Sequence, residues 1–126
     1  MLGNVLRRCL IVDDNEGFLA VAHSSLEREG LEIVGTATTT ADALEKTRQL
    51  DPEIVLVDIA LGRESGFELV RLLVDSFPNL RARVVLISTR GEEDFADLIA
   101  ESPAAGFLPK IRLSATAVRA LLADAS

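Results

Sequence analysis

Five short apolar runs, each followed by a longer segment with helical spacing, constrain this chain more than any other feature. The runs occupy residues 9–12, 31–34, 54–57, 84–87 and 106–108, and most are rich in Val or Ile. Three of them are apolar without alternation, the pattern of strands covered on both faces. Between them, Phe18, Val21, Ala22, Ser25 and Leu26 fall on one face of a first helix that Gly30 would end. His23 points away from that face and reads as a solvated surface residue. A second helix is expected over 40–50, stopped by Asp51-Pro52, and a third over 66–77, stopped by Pro78. A fourth carries Phe95, Leu98 and Ile99. A fifth carries Val118, Leu121 and Leu122, with Ser114 as its N-cap.

A strand–helix unit repeated five times, with connections suited only to crossovers, gives an α/β fold: a parallel sheet with helices on both faces. Right-handed crossovers leave few topologies, and the doubly wound, flavodoxin-like strand order 2-1-3-4-5 fits best. The 126 residues suit one domain, with no linker, repeat or second domain expected. Thirteen Lys or Arg against twenty Asp or Glu give a net charge of −7, which argues against direct nucleic-acid binding. No apolar stretch approaches the roughly 20 residues that span a bilayer. The run after Arg7-Arg8 ends in two aspartates after four residues, too soon for a signal peptide. Cys9 is the only cysteine and forms no internal disulfide. The expectation is a cytoplasmic protein with no membrane partner.

Ligands of open parallel sheets bind beyond the carboxyl ends of the strands. There this chain places Asp13 and Asp14 after the first run, Asp58 after the third, Ser88 and Thr89 after the fourth, and Lys110 after the fifth. The second run, at the sheet edge, offers only Gly35 and Thr36. Each residue alone has an ordinary role: an aspartate caps a helix or turn, a lysine is solvated, Phe107 is core. Capping does not explain a second aspartate beside the first, nor a third on a neighbouring strand end. Three carboxylates in one partly buried site repel strongly, and one lysine offsets only one of them. A hard divalent cation such as Mg²⁺ supplies the remainder, since it takes oxygen ligands and is held by one or two carboxylates plus a phosphate. With Mg²⁺ and Lys110 the local charge sums to zero. A carboxylate can carry a phosphoryl group whose oxygens are held by metal, ammonium and hydroxyl. Asp58, at the end of a central strand, is the best placed nucleophile.

Together these residues resemble the receiver domain of two-component response regulators, over nearly the whole chain. The match comprises Asp13-Asp14, Asp58, Ser88 and Lys110, with 30 residues from Asp58 to Ser88 and 22 from Ser88 to Lys110, and Gly66 eight after Asp58. The resemblance implies a phosphoacceptor signalling domain rather than an enzyme. Asp58 would accept a phosphoryl group from the phosphohistidine of a sensor histidine kinase or phosphotransfer protein, or from a small acyl phosphate. Asp14 and Asp58 would ligate Mg²⁺ directly, Asp13 through water, and Ala60 by its backbone carbonyl. Lys110 would pair with the phosphoryl group, Ser88 would move to hydrogen-bond it, and Phe107 would swing inward behind it. That population shift would remodel the face of helix 4, strand 5 and helix 5 for a protein effector, or for a homodimer.

The chain departs from the family at several points. Ile111 follows Lys110 where proline is common, and a cis bond there is not expected. Gly62 replaces a common proline after Asp58, implying a looser loop. Ser88 replaces the usual threonine, and Thr89 a usual Ala or Gly. Arg90 and Ala60 occupy positions that tune dephosphorylation. The segment Gly106-Phe107-Leu108-Pro109-Lys110 resembles receivers joined to helix-turn-helix output domains, so the chain reads as a stand-alone receiver or one excised from such a regulator. Three other readings compete. An aspartate-nucleophile phosphatase needs an acid where Ala60 stands. A flavodoxin-like cofactor binder needs a phosphate cradle where Asp13-Asp14-Asn15-Glu16 stands, and no glycine fingerprint or P-loop occurs. A degenerate receiver would serve as a phosphorylation-independent docking module.

Overall fold

A computed structural model describes residues 6–125. Its elements run β1 (Arg8–Val12), α1 (Glu16–Arg28), β2 (Glu32–Ala37), α2 (Thr40–Leu50), β3 (Ile54–Asp58), α3 (Gly66–Ser76), β4 (Val84–Ser88), α4 (Ala96–Glu101), β5 (Gly106–Pro109) and α5 (Ala115–Ala125). The five strands form one parallel sheet in the order β2-β1-β3-β4-β5. This is the doubly wound, flavodoxin-like arrangement expected from the repeated strand–helix pattern.

Alternation along each strand splits the core into two layers. Leu10, Val12, Val55, Val57 and Leu86 pack against Ala43 of α2 and Leu69 and Leu73 of α3. Cys9, Ile11, Leu56, Val85 and Ile87 face the other way, against Leu19 and Leu26 of α1 and Val118 and Leu122 of α5. Apolar side chains on both faces explain why the three central runs show no alternation. The same burial pushes the Cys9 thiol up to about 12, so it stays protonated and inert.

Four details differ from the sequence reading. The buried stripe of α1 is Leu19, Ala22 and Leu26, while Val21 is 69% exposed and Phe18 lies at the rim. The helix starts from Asn15, whose side chain accepts from Phe18 N, and that start rotates the stripe by one residue. Asn15, and not Asp13 or Asp14, is therefore the N-cap. β2 runs on to Ala37, so Gly35 and Thr36 pair within the sheet with Leu10 and Ile11 instead of ending it. The fourth helix is short: Phe95 falls in a 3-10 turn (Glu92–Phe95), with α4 only six residues long. Five carboxylates between Glu92 and Glu101, with no lysine or arginine among them, disfavour a longer helix. The helix stop at Leu50 and the Ser114 cap agree with expectation, and α3 ends at Ser76, one residue before the expected Phe77; Ser114 Oγ accepts from Ala117 N at 3.0 Å.

Candidate functional site

The carboxyl ends of β1, β3, β4 and β5 open into a cleft of about 420 Å³ whose lining includes Asp13, Asp14, Asp58, Ala60, Ser88 and Lys110. Asp13 directly follows β1, with its side chain fully buried. Its backbone N–H donates to Ala37 O at 2.9 Å, and its Oδ1 accepts from Asn15 N at 2.8 Å. Asp14, one residue on, faces solvent. Asp58 closes β3, 7% exposed, and its Oδ1 accepts from Ala60 N at 3.2 Å. Asp13, Asp14 and Asp58 each bring a carboxylate oxygen within 4.8 Å of the other two.

Lys110 reaches the trio from the end of β5. Its Nζ lies 2.5 Å from Asp13 Oδ2 and 3.2 Å from Asp58 Oδ2. No cis peptide bond occurs among the described residues, and Lys110 opens a 3-10 turn (Lys110–Arg112). The missing proline after Lys110 does not keep the ammonium from the carboxylates. Ser88, 4% exposed, uses its Oγ to accept from Arg90 N at 3.0 Å, which leaves the hydroxyl proton free to donate. The loop after Asp58 is tighter than expected. Gly62, at φ +62°, turns a hairpin that pairs Ala60–Leu61 with Glu64–Ser65. Phe107 is buried in the core, away from the cleft lining.

The electrostatics follow from this crowding. Burial raises the Asp58 pKa, against the lowering effect of the Ala60 N–H bond; the nearby Asp13 charge raises it further, and Lys110 opposes. Burial alone would lower the Lys110 pKa, but the carboxylates of Asp13 and Asp58 outweigh it and the net shift is upward. One ammonium therefore faces three carboxylates. Asp13 Oδ2, buried and close to Lys110, accepts no well-directed hydrogen bond. The carboxylate charge that the single ammonium leaves unmatched, in an all-oxygen donor set, fits a hard divalent cation.

A raised folded pKa means that ionising Asp58 costs stability, a cost that grows as pH rises from the unfolded value near 3.8 through the folded one. Asp58→Asn is therefore expected to be more stable at pH 7.5 by about 1 kcal/mol. Urea midpoints at pH 4.5 and 7.5 check it, with the larger gain at the higher pH. A variant weaker than the parent at pH 7.5 would contradict this balance.

A family model of the response regulator receiver domain matches residues 9–121. The chain belongs to that family. Among the receiver's curated relatives, it is 31% identical to response regulator GacA of Pseudomonas viridiflava over 104 residues, covering 82% of this chain and 48% of that protein. It is 30% identical to chemotaxis protein CheY of Thermotoga maritima, covering 69% and 71%. Across the first of these relatives, this receiver spans about half of their length. Two solved structures show the same fold. One is a Burkholderia pseudomallei response regulator with a phosphorylated aspartic acid, calcium ion and citrate (TM-score 0.77, 27% identity, 92% of this chain and 66% of that one). The other is a CheY-like receiver domain of Methanospirillum hungatei (TM-score 0.72, 25% identity, 95% and 90%). The family is a signalling domain of two-component systems rather than an enzyme family.

Of the residues singled out from sequence, Asp13, Asp14, Asp58, Ala60, Ser88 and Lys110 share the cleft, and Phe107 lies apart. Two neighbours of the site were not foreseen. Asn15 holds both Asp13 and the start of α1, and Phe18 lies against Lys110. The Leu19–Ala22–Leu26 phase of α1 puts Phe18 at the rim of the core, beside Lys110.

Proposed function

We propose that this receiver takes a phosphoryl group onto Asp58 in a Mg²⁺-dependent transfer from a histidine kinase or phosphotransfer protein, or from a small acyl phosphate. The single observation that carries the reading is the convergence of three carboxylates and one ammonium at Asp58. The phosphorylated aspartic acid of the Burkholderia relative supports it. Asp14 and Asp58, with the Ala60 carbonyl, would hold Mg²⁺ directly, and Asp13 through water. When bound, the ion withdraws charge from the phosphoryl oxygens. A carboxylate oxygen of Asp58 attacks phosphorus, the bond to the donor imidazole or acyl oxygen breaks, and the donor leaves with its electron pair. Lys110 then turns from Asp58 Oδ2 to a phosphoryl oxygen, and Ser88 donates its O–H to another. The response would be read by a protein effector, or a second copy, on the face of α4, β5 and α5, where Leu98 is 50% exposed.

Incubation with acetyl phosphate, with and without Mg²⁺, followed by intact mass, tests this. The expected result is one added phosphoryl group only with Mg²⁺, and none in Asp58→Asn. No addition to the parent chain, or equal addition to Asp58→Asn, would sink the reading. That outcome would favour a phosphorylation-independent docking module, to which the inward packing of Phe107 lends a fixed face.

A further inference from the structure

Phe18 stands apart from the buried stripe of its helix. Leu19, Ala22 and Leu26 are buried in the core, whereas Phe18 is only partly buried, with Lys110 Nζ 4.2 Å from its ring centroid. Asp13 Oδ2 and Asp58 Oδ2 also contact that ammonium. An ammonium within about 6 Å of an aromatic centroid is attracted by the ring's negative face, more strongly where water is excluded. The Lys110 side chain is only 11% exposed.

The ring is itself held in place. Phe18 N donates to Asn15 Oδ1 at 3.0 Å, and Asn15 N donates to Asp13 Oδ1 at 2.8 Å. Asp13 thus opposes the Lys110 charge and, through Asn15, anchors the helical turn that presents the ring. The backbone after Lys110 offers little restraint. Ile111 is 93% exposed, and the 3-10 turn there has no side-chain cap. The ammonium is located from its charged end.

We propose that Phe18 is a positioning residue, whose ring face holds the Lys110 ammonium where incoming phosphoryl oxygens must meet it. A third carboxylate in that place would hold the lysine too, but would compete with the phosphoryl group for its charge. A neutral ring holds the cation and leaves the charge available. The inference rests on Asp58 being the phosphoryl acceptor.

The test compares Phe18→Leu, which keeps bulk, with Phe18→Tyr, which keeps the ring face. Acetyl phosphate uptake with Mg²⁺ should slow roughly tenfold in Phe18→Leu and stay within about twofold of the parent in Phe18→Tyr, the contrast expected of one shielded cation–π contact. Proton NMR supplies a readout that packing alone would not move. The ε-methylene protons of Lys110 should be shifted upfield by the ring in the parent and Phe18→Tyr, and lose that shift in Phe18→Leu. Parent-like uptake by Phe18→Leu, equal slowing of both variants, or no ring shift in the parent would each overturn the proposal. If the parent takes up no phosphoryl group, the transfer reading itself fails, and the ring shift still reports whether the contact exists.

Discussion

In the Lys110→Met variant, phosphoryl uptake at Asp58 is expected to slow by about 10²-fold or more, the usual effect of removing one preorganised donor to developing charge. The same substitution should weaken the fold. Lys110 is the cation in contact with two carboxylates, one fully buried and the other 10% exposed, and removing one partner of such a cluster costs about 3 kcal/mol. The pH dependence has a definite sign. The folded Lys110 pKa lies above its ordinary value near 10.5, so its contribution is complete below that pH and is lost only as pH rises through the folded value. At pH 7 the parent has all of it. Without the ammonium, Asp58 loses the interaction that opposes burial and the Asp13 charge, so its already raised pKa rises further. Acid then relieves the variant by protonating Asp58, and the stability gap should narrow from pH 7 toward pH 4. Urea midpoints across that range, beside uptake rates from intact mass, check both halves. Equal rates with an unchanged pH 7 midpoint would remove Lys110 from the site.

The site was legible because its residues are anchored to strand ends, and strand ends are the easiest boundaries to find in an all-parallel sheet. Asp13, Asp58 and Ser88 each directly follow a run with no polar residue in it. A polar side chain held at such a junction has nowhere to point but the open rim. Lys110 was found the same way, although β5 is less completely buried than the central strands. What stayed hidden depends on rotation about an axis rather than position along the chain. In α1, the stripes Phe18–Val21–Ser25 and Leu19–Ala22–Leu26 differ by one residue, and Ala22 and Leu26 suit either. The phase is set by Asn15, an ordinary polar residue whose capping role cannot be told in advance from that of Asp13 or Asp14. β2 was underestimated for a related reason. Gly35 is a poor strand residue and interrupts the apolar run, and β1 holds it and Thr36 in place by pairing. The hairpin after Asp58 offers only the short apolar stretch Ile59-Ala60-Leu61, with no alternation to mark a turn; it depends on Gly62 entering the left-handed region.

Gly66→Ala is expected to be the most damaging single-methyl change near the site, costing about 3 kcal/mol or more and lowering Tm by roughly 10 °C. Gly66 opens α3 in an ordinary helical conformation, so conformational freedom is not what the position requires. A Cβ there would lie 2.0 Å from the Asp58 carbonyl oxygen, 2.8 Å from Ile59 Cα and 2.9 Å from the Asp58 carbonyl carbon. All three atoms are backbone, and none can rotate aside. The chain is also pinned at this point, because Gly66 N donates to Ile59 O at 2.9 Å. The methyl must therefore push α3 away from β3, or displace the strand end that carries Asp58, so uptake from acetyl phosphate should fall together with stability. Gly62 provides the control, since its demand is the opposite one. Its φ of +62° disfavours a side chain, yet the nearest atom to an added Cβ is Asp14 Oδ2 at 3.8 Å, an ordinary contact. Gly62→Ala should cost only about 1 kcal/mol, and Gly62→Asn less, because asparagine tolerates the left-handed region. At Gly66 the same pair should run the other way, with Asn at least as damaging as Ala. Thermal melts of the four variants separate the two causes, and a Gly66→Ala protein melting within a few degrees of the parent would mean that α3 is not clamped against the Asp58 carbonyl.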